Sequence, residues 1–247
     1  MTILIEQAAS GVLTLTMQRP EKKNALNLAM YRQLTAALQQ ARQQSQTKVV
    51  VIQGNADCFT SGNDLQDFLS AGALDMQHPV VQFLYEAASF PKPLIAAVAG
   101  LAIGIGTTLL LHCDLVYAAP ASRLQMPFTL LGLCPEAASS LLLPQIAGYQ
   151  RAAQYLLLGE AFSSEQAAQF GLVNDIVPAE QLLAFVAAKA ETLAALPSEA
   201  VLRSKALLKA PQQALVQQVI GQELLDFQQL LSSDACQQQL AAFFKRR

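Results

Sequence analysis

Charge is scarce in this chain. Of 247 residues only 14% are Asp, Glu, Lys or Arg, against 53% hydrophobic ones. That balance excludes a disordered chain, which buries too little apolar surface to offset its conformational entropy. The 16 basic and 18 acidic residues are scattered and nearly cancel. There is no basic stripe to neutralise a phosphate backbone, so no nucleic-acid partner is expected. The four cysteines, Cys58, Cys113, Cys134 and Cys236, form no CxxC pair and stand at no cysteine-histidine spacing. Neither a metal site nor a disulfide framework is expected from them. A G-x-S-x-G elbow, the mark of one class of serine hydrolase, is missing too. The opening MTILIEQAAS lacks the basic and long apolar segments of a signal peptide, and the closing FFKRR is not the SKL address. The expected location is cytoplasmic.

One apolar run is long enough to raise the question of a membrane: LIAAVAGLAIGIGTTLLL, Leu94 to Leu111. Three glycines and two threonines break it near its middle. It reads instead as a buried strand, a glycine turn and a buried helix, and no membrane partner is expected.

What is present is a repeating pattern. TILIEQ and VLTLTM, joined by AASG, read as a hairpin. Asn24 or Asn27 then caps a helix from about Leu28 to Gln44, with Leu34 and Leu38 on one face. KVVVIQG reads as a buried strand, Val80 to Ala88 as a helix and PLIAAVAG as another buried strand. GTTLLLHC reads as a helix, LVYAA as a strand, and Leu124 to Met126 as a short one. Helices then follow one another: GYQRAAQYLLLG, SSEQAAQFG, AEQLLAFVAAKAETLAAL, SEAVLRSKALLK and a glutamine-rich tail from Gln212. Ser163 with Gln166, and Ser198 behind Pro197, mark helix starts. The pattern predicts one α/β domain, with repeated strand-turn-helix units over residues 1–190 and a helical region over 191–247. The apolar excess further predicts a homo-oligomer.

Three short stretches carry the chemistry. In GIGTT, Gly104 to Thr108, backbone N–H groups near Ile105 and Gly106 are left free where a helix begins. Leu109 follows, so no G-x-G-x-x-G dinucleotide fingerprint is completed. In FTSGNDL, Phe59 to Leu65, Gly62 lets the chain turn sharply and aims the N–H of Asn63 inward, while Asp64 ties the loop down. Two such loops can bring their amides together as an oxyanion hole. In LGLCPEAASSL, Glu136 stands alone among small and apolar residues. It is either an exposed glutamate in the first turn of a helix entered through Pro135, or a buried carboxylate with a chemical task.

In this order, RPEKKNALN, FTSGNDL, KPLIAAVAG, GIG, HCDLVYA and GEAFSSEQAAQFGLVNDIV resemble the enoyl-CoA hydratase/isomerase family, the crotonase superfamily, over nearly the whole chain. The resemblance implies a crotonase-like spiral of β-β-α units with a helical C-terminal region, assembled as a homotrimer or hexamer. It also implies an acyl-CoA thioester substrate, whose coenzyme A needs no separate cofactor. On that resemblance the N–H groups of Asn63 and Ile105 hold the thioester oxygen. Ser61, Gly62, Asp64 and Leu65 line the thioester, Lys23, Ala25 and Leu26 lie along the coenzyme A, and Gly106 borders the substrate. Phe128, Leu130, Leu131 and Leu133 suggest an apolar lining for the acyl group. Hydratases of the family carry two glutamates, whose positions here hold Thr108 and Phe128. LGLCPEAASSLLLP and SGNDL resemble instead the Δ3,Δ2-enoyl-CoA isomerase branch, which implies that Glu136 takes a proton from C2 of a 3-enoyl thioester and returns it at C4. The alternatives are a non-catalytic acyl-CoA-binding homologue and a hydratase-type enzyme using other residues.

Overall fold

The computed structural model describes residues 2–70 and 72–245. Strands β1 (Ile3–Gln7) and β2 (Val12–Met17) form an antiparallel hairpin, with Gly11 at φ 101° in the turn. Helix α1 (Leu28–Gln43) is capped by Asn27, whose side chain accepts from Met30 N at 2.9 Å. Asn24, the other candidate cap, is buried instead, with its amide group accepting from Arg19 N and donating to the carbonyls of Cys58 and Phe59. α1 buries Met30, Tyr31, Leu34, Ala37, Leu38 and Ala41 along one face. Beyond its end the Lys92 ammonium donates to the carbonyls of Ala41, Gln44 and Thr47.

The chain continues through β3 (Val49–Gln53), α2 (Leu65–Ser70), α3 (Pro79–Ala88), β4 (Leu94–Val98), β5 (Leu101–Ile103) and α4 (Ile105–Thr108). A 3-10 turn over Leu109–His112 leads to β6 (Leu115–Ala118) and β7 (Arg123–Gln125). Then come α5 (Ser139–Ala147), α6 (Tyr149–Leu157), β8 (Ala161–Ser163), α7 (Ser164–Gln169) and β9 (Asp175–Ile176). The last elements are α8 (Ala179–Ala194), α9 (Ser198–Leu231) and α10 (Asp234–Lys245).

Six strands form a large sheet in the order β1-β2-β3-β4-β6-β9, parallel from β2 onward, and β5-β7-β8 form a small one. Two isolated parallel bridges, Thr60 with Ala102 and Leu26 with Asn63, extend the small layer by two rungs. Each unit therefore gives one strand to the large sheet, steps across to the small layer and then enters a helix. β2, Leu26 and α1 make one such unit, β3, Thr60–Asn63 and α2 the next, and β4, β5 and α4 the third. This is the spiral of β-β-α units.

Side chains of the large sheet alternate between two cores. Val50, Ile52, Leu94, Ala96 and Val98 face the main core with α1, α3, α9 and α10, whereas Val49, Val51, Ile95 and Ala97 face α8 through Leu182, Val186 and Ala190. Both faces are covered, which is why these strands read as unbroken apolar runs.

Several details differ from the sequence expectation. The span Leu94–Leu111 contains a second strand, β5, and its helical part is one α-turn followed by a 3-10 turn. The predicted break at Gln212 is absent, because α9 runs as one helix of 34 residues through Pro211. Proline forfeits one backbone hydrogen bond, and the carbonyl it strands belongs to Leu207, on the exposed side where water can take its place. The division at 190 falls inside α8. Among the described residues no helix is long and apolar enough to cross a membrane.

Candidate active site

The two glycine loops meet. Thr60 N donates to Leu101 O at 2.8 Å and Ile103 N to Thr60 O at 3.1 Å, so residues 60–64 run alongside 101–105. Only glycine fits at position 62, where φ is 88° and a Cβ would lie 2.6 Å from the carbonyl oxygen of Ile103. On the other side Leu26 N donates to Gly62 O at 2.8 Å and Asp64 N to Leu26 O at 2.9 Å. That bridge uses the groups flanking Asn63 and turns the Asn63 N–H away from Leu26. Among the described residues neither the Asn63 N–H nor the Ile105 N–H has an acceptor. Beside them Gly104 sits at φ 57° with nothing within 4 Å of where its Cβ would be. Two unsatisfied amides on adjoining turns, next to open space, form a place for one ligand oxygen.

The loops are braced from outside. The Tyr31 hydroxyl donates to Asn63 Oδ1. Arg19 pairs with Asp64 at 2.7 Å and donates to Ala25 O at 3.0 Å, tying the segment before α1 to the glycine loop. Burial pushes the Asp64 carboxyl up, but the hydrogen bond and charge of Arg19 prevail and hold it below the usual carboxylate range. Ser61 N donates to Lys23 O at 2.9 Å, which sets the exposed Lys23 and the buried Ala25 and Leu26 beside Ser61–Asp64.

Glu136 is only 5% exposed. It precedes α5 rather than opening it, because Ala137 and Ala138 take φ of 58° and 55° before the helix starts at Ser139. Two consecutive left-handed alanines are strained, and the surroundings hold them. Ser139 donates to Glu136 O through both N and Oγ, at 3.0 and 2.7 Å. The His112 ring meets Ala137 O through Nε2 at 2.7 Å. A carbonyl only accepts, so Nε2 carries the proton, and burial with the nearby Lys209 charge holds the His112 pKa down at about 4. The Glu136 carboxylate accepts the Thr108 hydroxyl, joining it to the four-residue turn that begins at Ile105. Burial raises the Glu136 pKa to about 8, the Thr108 hydrogen bond opposing the rise and the Glu223 charge adding to it. The same carboxylate is felt by Tyr31, whose hydroxyl is pushed up first by burial and then by that charge. Two amides without acceptors, a buried acid and an open turn thus lie within one set of adjoining contacts.

A sequence model of the enoyl-CoA hydratase/isomerase family matches residues 7–247. The chain belongs to the enoyl-CoA hydratase/isomerase family. The structure of Pseudomonas aeruginosa OdaA is 44% identical to this family member and superposes with a TM-score of 0.95, over 98% of each chain. Rat enoyl-CoA delta isomerase 2 is 38% identical over 61% of this chain and 40% of its own length. The 2,3-dehydroadipyl-CoA hydratase of Escherichia coli K12 is 34% identical over 100% of this chain and 97% of its own length. For the first curated relatives it matches, the chain spans 40% to 61% of their length.

Within this family member the remaining expected site residues are placed as follows. Gly106 is buried, and a Cβ there would lie 2.6 Å from Thr60 Cγ2, so it lets the glycine loops close on each other. Leu65 opens α2 and is half-buried. Phe128 and Leu133 are buried and linked by a hydrogen bond from Leu133 N to Phe128 O, with the Phe128 ring edge-on to Phe227. Leu130 departs from the expected lining: it is 52% exposed and faces Gly159. Sequence reasoning missed three contributors, Tyr31, Arg19 and Glu223. The signal for Glu223 was a lone acid in the apolar stretch VIGQELL, the same signal that singled out Glu136.

Proposed function

We propose that this chain is an enzyme that moves a double bond in an unsaturated acyl-CoA, converting a 3-enoyl-CoA to the trans-2-enoyl-CoA. The observation that carries the reading is the bond between buried Glu136 and Thr108, on the turn that starts with the free amide of Ile105. A thioester oxygen held by the amides of Asn63 and Ile105 makes the C2 protons acidic, because enolate charge flows onto that oxygen. The Glu136 carboxylate takes one C2 proton, and the electron pair spreads as a dienolate over C1 to C4 and the oxygen. The same carboxyl then returns the proton at C4 as C2=C3 forms. No atom is gained or lost, and one group of raised pKa serves as base and then as acid.

A hydratase reading draws on the Escherichia coli relative matched along its length. It must explain the aligned hydratase positions, where Thr108 and Phe128 have no carboxylate with which to activate water. Incubation with 3-enoyl-CoA and with 2-enoyl-CoA in heavy-oxygen water, read by mass spectrometry, separates the two. The expected result is interconversion of the enoyl isomers without heavy oxygen. A labelled 3-hydroxyacyl product formed at comparable rate would replace this reading with hydration, and thioester binding without turnover would leave an acyl-CoA-binding protein.

Assembly as a trimer or hexamer belongs to the same proposal. Tyr149, Leu157, Leu158, Leu207 and Leu208 are large apolar side chains left exposed on one chain. Sedimentation velocity at micromolar concentration is expected to give three or six times the chain mass of 26.5 kDa, and a monomer would refute it.

A further inference from the structure

Glu223 is a buried carboxylate on α9 that the proposed reaction leaves without a task. It reaches across 85 residues of sequence to the segment just after Glu136. Its Oε2 accepts Ala138 N at 2.6 Å, and its Oε1 accepts both Ser140 N at 3.1 Å and Ser140 Oγ at 2.5 Å. One donor is the N–H of the second of the two left-handed alanines that follow Glu136, and the other two belong to Ser140 just beyond them. We propose that Glu223 is a positioning residue for Glu136, so that the C-terminal helix holds the strained turn that presents the proposed base.

The inference rests on Glu136 being that base, and it has a second consequence beyond geometry. The titratable groups around the Glu136 carboxylate are Tyr31 from α1, Cys134 on the same loop, His112 from the 3-10 turn after α4, and Glu223 from α9. Burial holds Tyr31 well above its ordinary value, burial with the Asp226 and Glu223 charges raises Cys134 to about 11, and His112 lies at about 4. All three are neutral through the working range. Glu223 is different: burial raises its pKa, while the three donors of Ser140 and Ala138 aimed at its two oxygens favour the ionised form and oppose that rise. It fixes the turn, and its charge when ionised raises the Glu136 pKa and makes that carboxylate a stronger base.

Glu223→Gln keeps the side-chain volume, removes the charge and turns an NH2 group toward donors that need an acceptor. Turnover of 3-enoyl-CoA is expected to fall roughly 10- to 100-fold with KM changed less than about threefold, since a misplaced reacting group costs rate more than binding. The acid limb of the pH profile should move to lower pH by about one unit. Carbon-13 NMR of labelled glutamate carboxyls, with Glu136→Gln to assign the resonance, should show the Glu136 titration moving the same way. That measurement needs no turnover, so wild-type protein without isomerase activity would sink the proposed reaction while still deciding the role of Glu223. Ser140→Ala removes one donor and leaves the charge, so it should slow turnover a few-fold with the titration unmoved, and it answers for positioning should Glu223→Gln not fold. A folded Glu223→Gln protein with wild-type turnover and an unshifted Glu136 titration, or a Ser140→Ala protein at full rate where the former does not fold, would overturn the proposal.

Discussion

Replacing Glu136 with glutamine is expected to lower isomerase turnover by roughly a thousandfold while making the folded chain more stable at alkaline pH. The first effect follows from the proposed chemistry, because glutamine keeps the shape and the Thr108 contact but accepts no proton. The second follows from linkage. Folding raises the Glu136 pKa from its ordinary value of 4.5 to about 8, chiefly by burial. Between those values the folded chain binds more protons than the unfolded one, so stability is fully present below about 4.5 and is lost as pH rises toward 8. The loss is on the order of 5 kcal/mol, and glutamine is spared it. Thermal melts of both proteins should coincide near pH 5 and separate by several degrees near pH 9, the variant melting higher. In the wild type, kcat/KM should climb about tenfold per pH unit toward a midpoint near 8, since it reports the free enzyme. An equal melting difference at both pH values would mean that the carboxyl is not held neutral by its surroundings.

The buried strands were legible in the sequence because two cores cover the large sheet, so Val49–Ile52 and Leu94–Val98 carry apolar residues on both faces. The glycine loops were legible for a local reason as well. A left-handed φ and a close backbone approach both demand glycine at position 62, and that demand is visible in one letter. Strands of two or three residues, such as β5, β8 and β9, are too short for any periodicity to show. The opposite failure occurs in α9, where Pro211 signals a break that exposure makes affordable to the helix.

The partners of Glu136 illustrate a different limit. Its oddity was plain, but whether it was exposed or buried depended on Thr108, which bonds its carboxylate, and on His112 and Glu223, which bond the residues just after it from two further elements. Serines 139 and 140 open α5. One of them turns back to the Glu136 carbonyl and the other to Glu223, so the pair serves the turn before the helix. Long-range partners leave no spacing to read.

Gly62→Ala should separate the two amides and cost about a hundredfold in turnover with thioester binding largely kept. The added Cβ would meet the Ile103 carbonyl oxygen at 2.6 Å and its carbon at 3.3 Å, and this neighbour is backbone rather than the yielding tip of a side chain. One loop must therefore move by several tenths of an ångström. Oxyanion donors act at about 2.7–3.1 Å from the developing charge, so a shift of that size weakens the bond where charge accumulates more than where the substrate merely rests. The left-handed φ of 88° adds strain, for a total stability loss of roughly 2–4 kcal/mol. Gly148→Ala supplies the comparison. It also stands at positive φ, 78°, but a Cβ there meets nothing within 4 Å, so it should lose stability and keep its rate. If the two variants, compared where both are folded, lost turnover equally, loop separation could not be the cause, and the amides of Asn63 and Ile105 would not be the groups that hold the thioester oxygen.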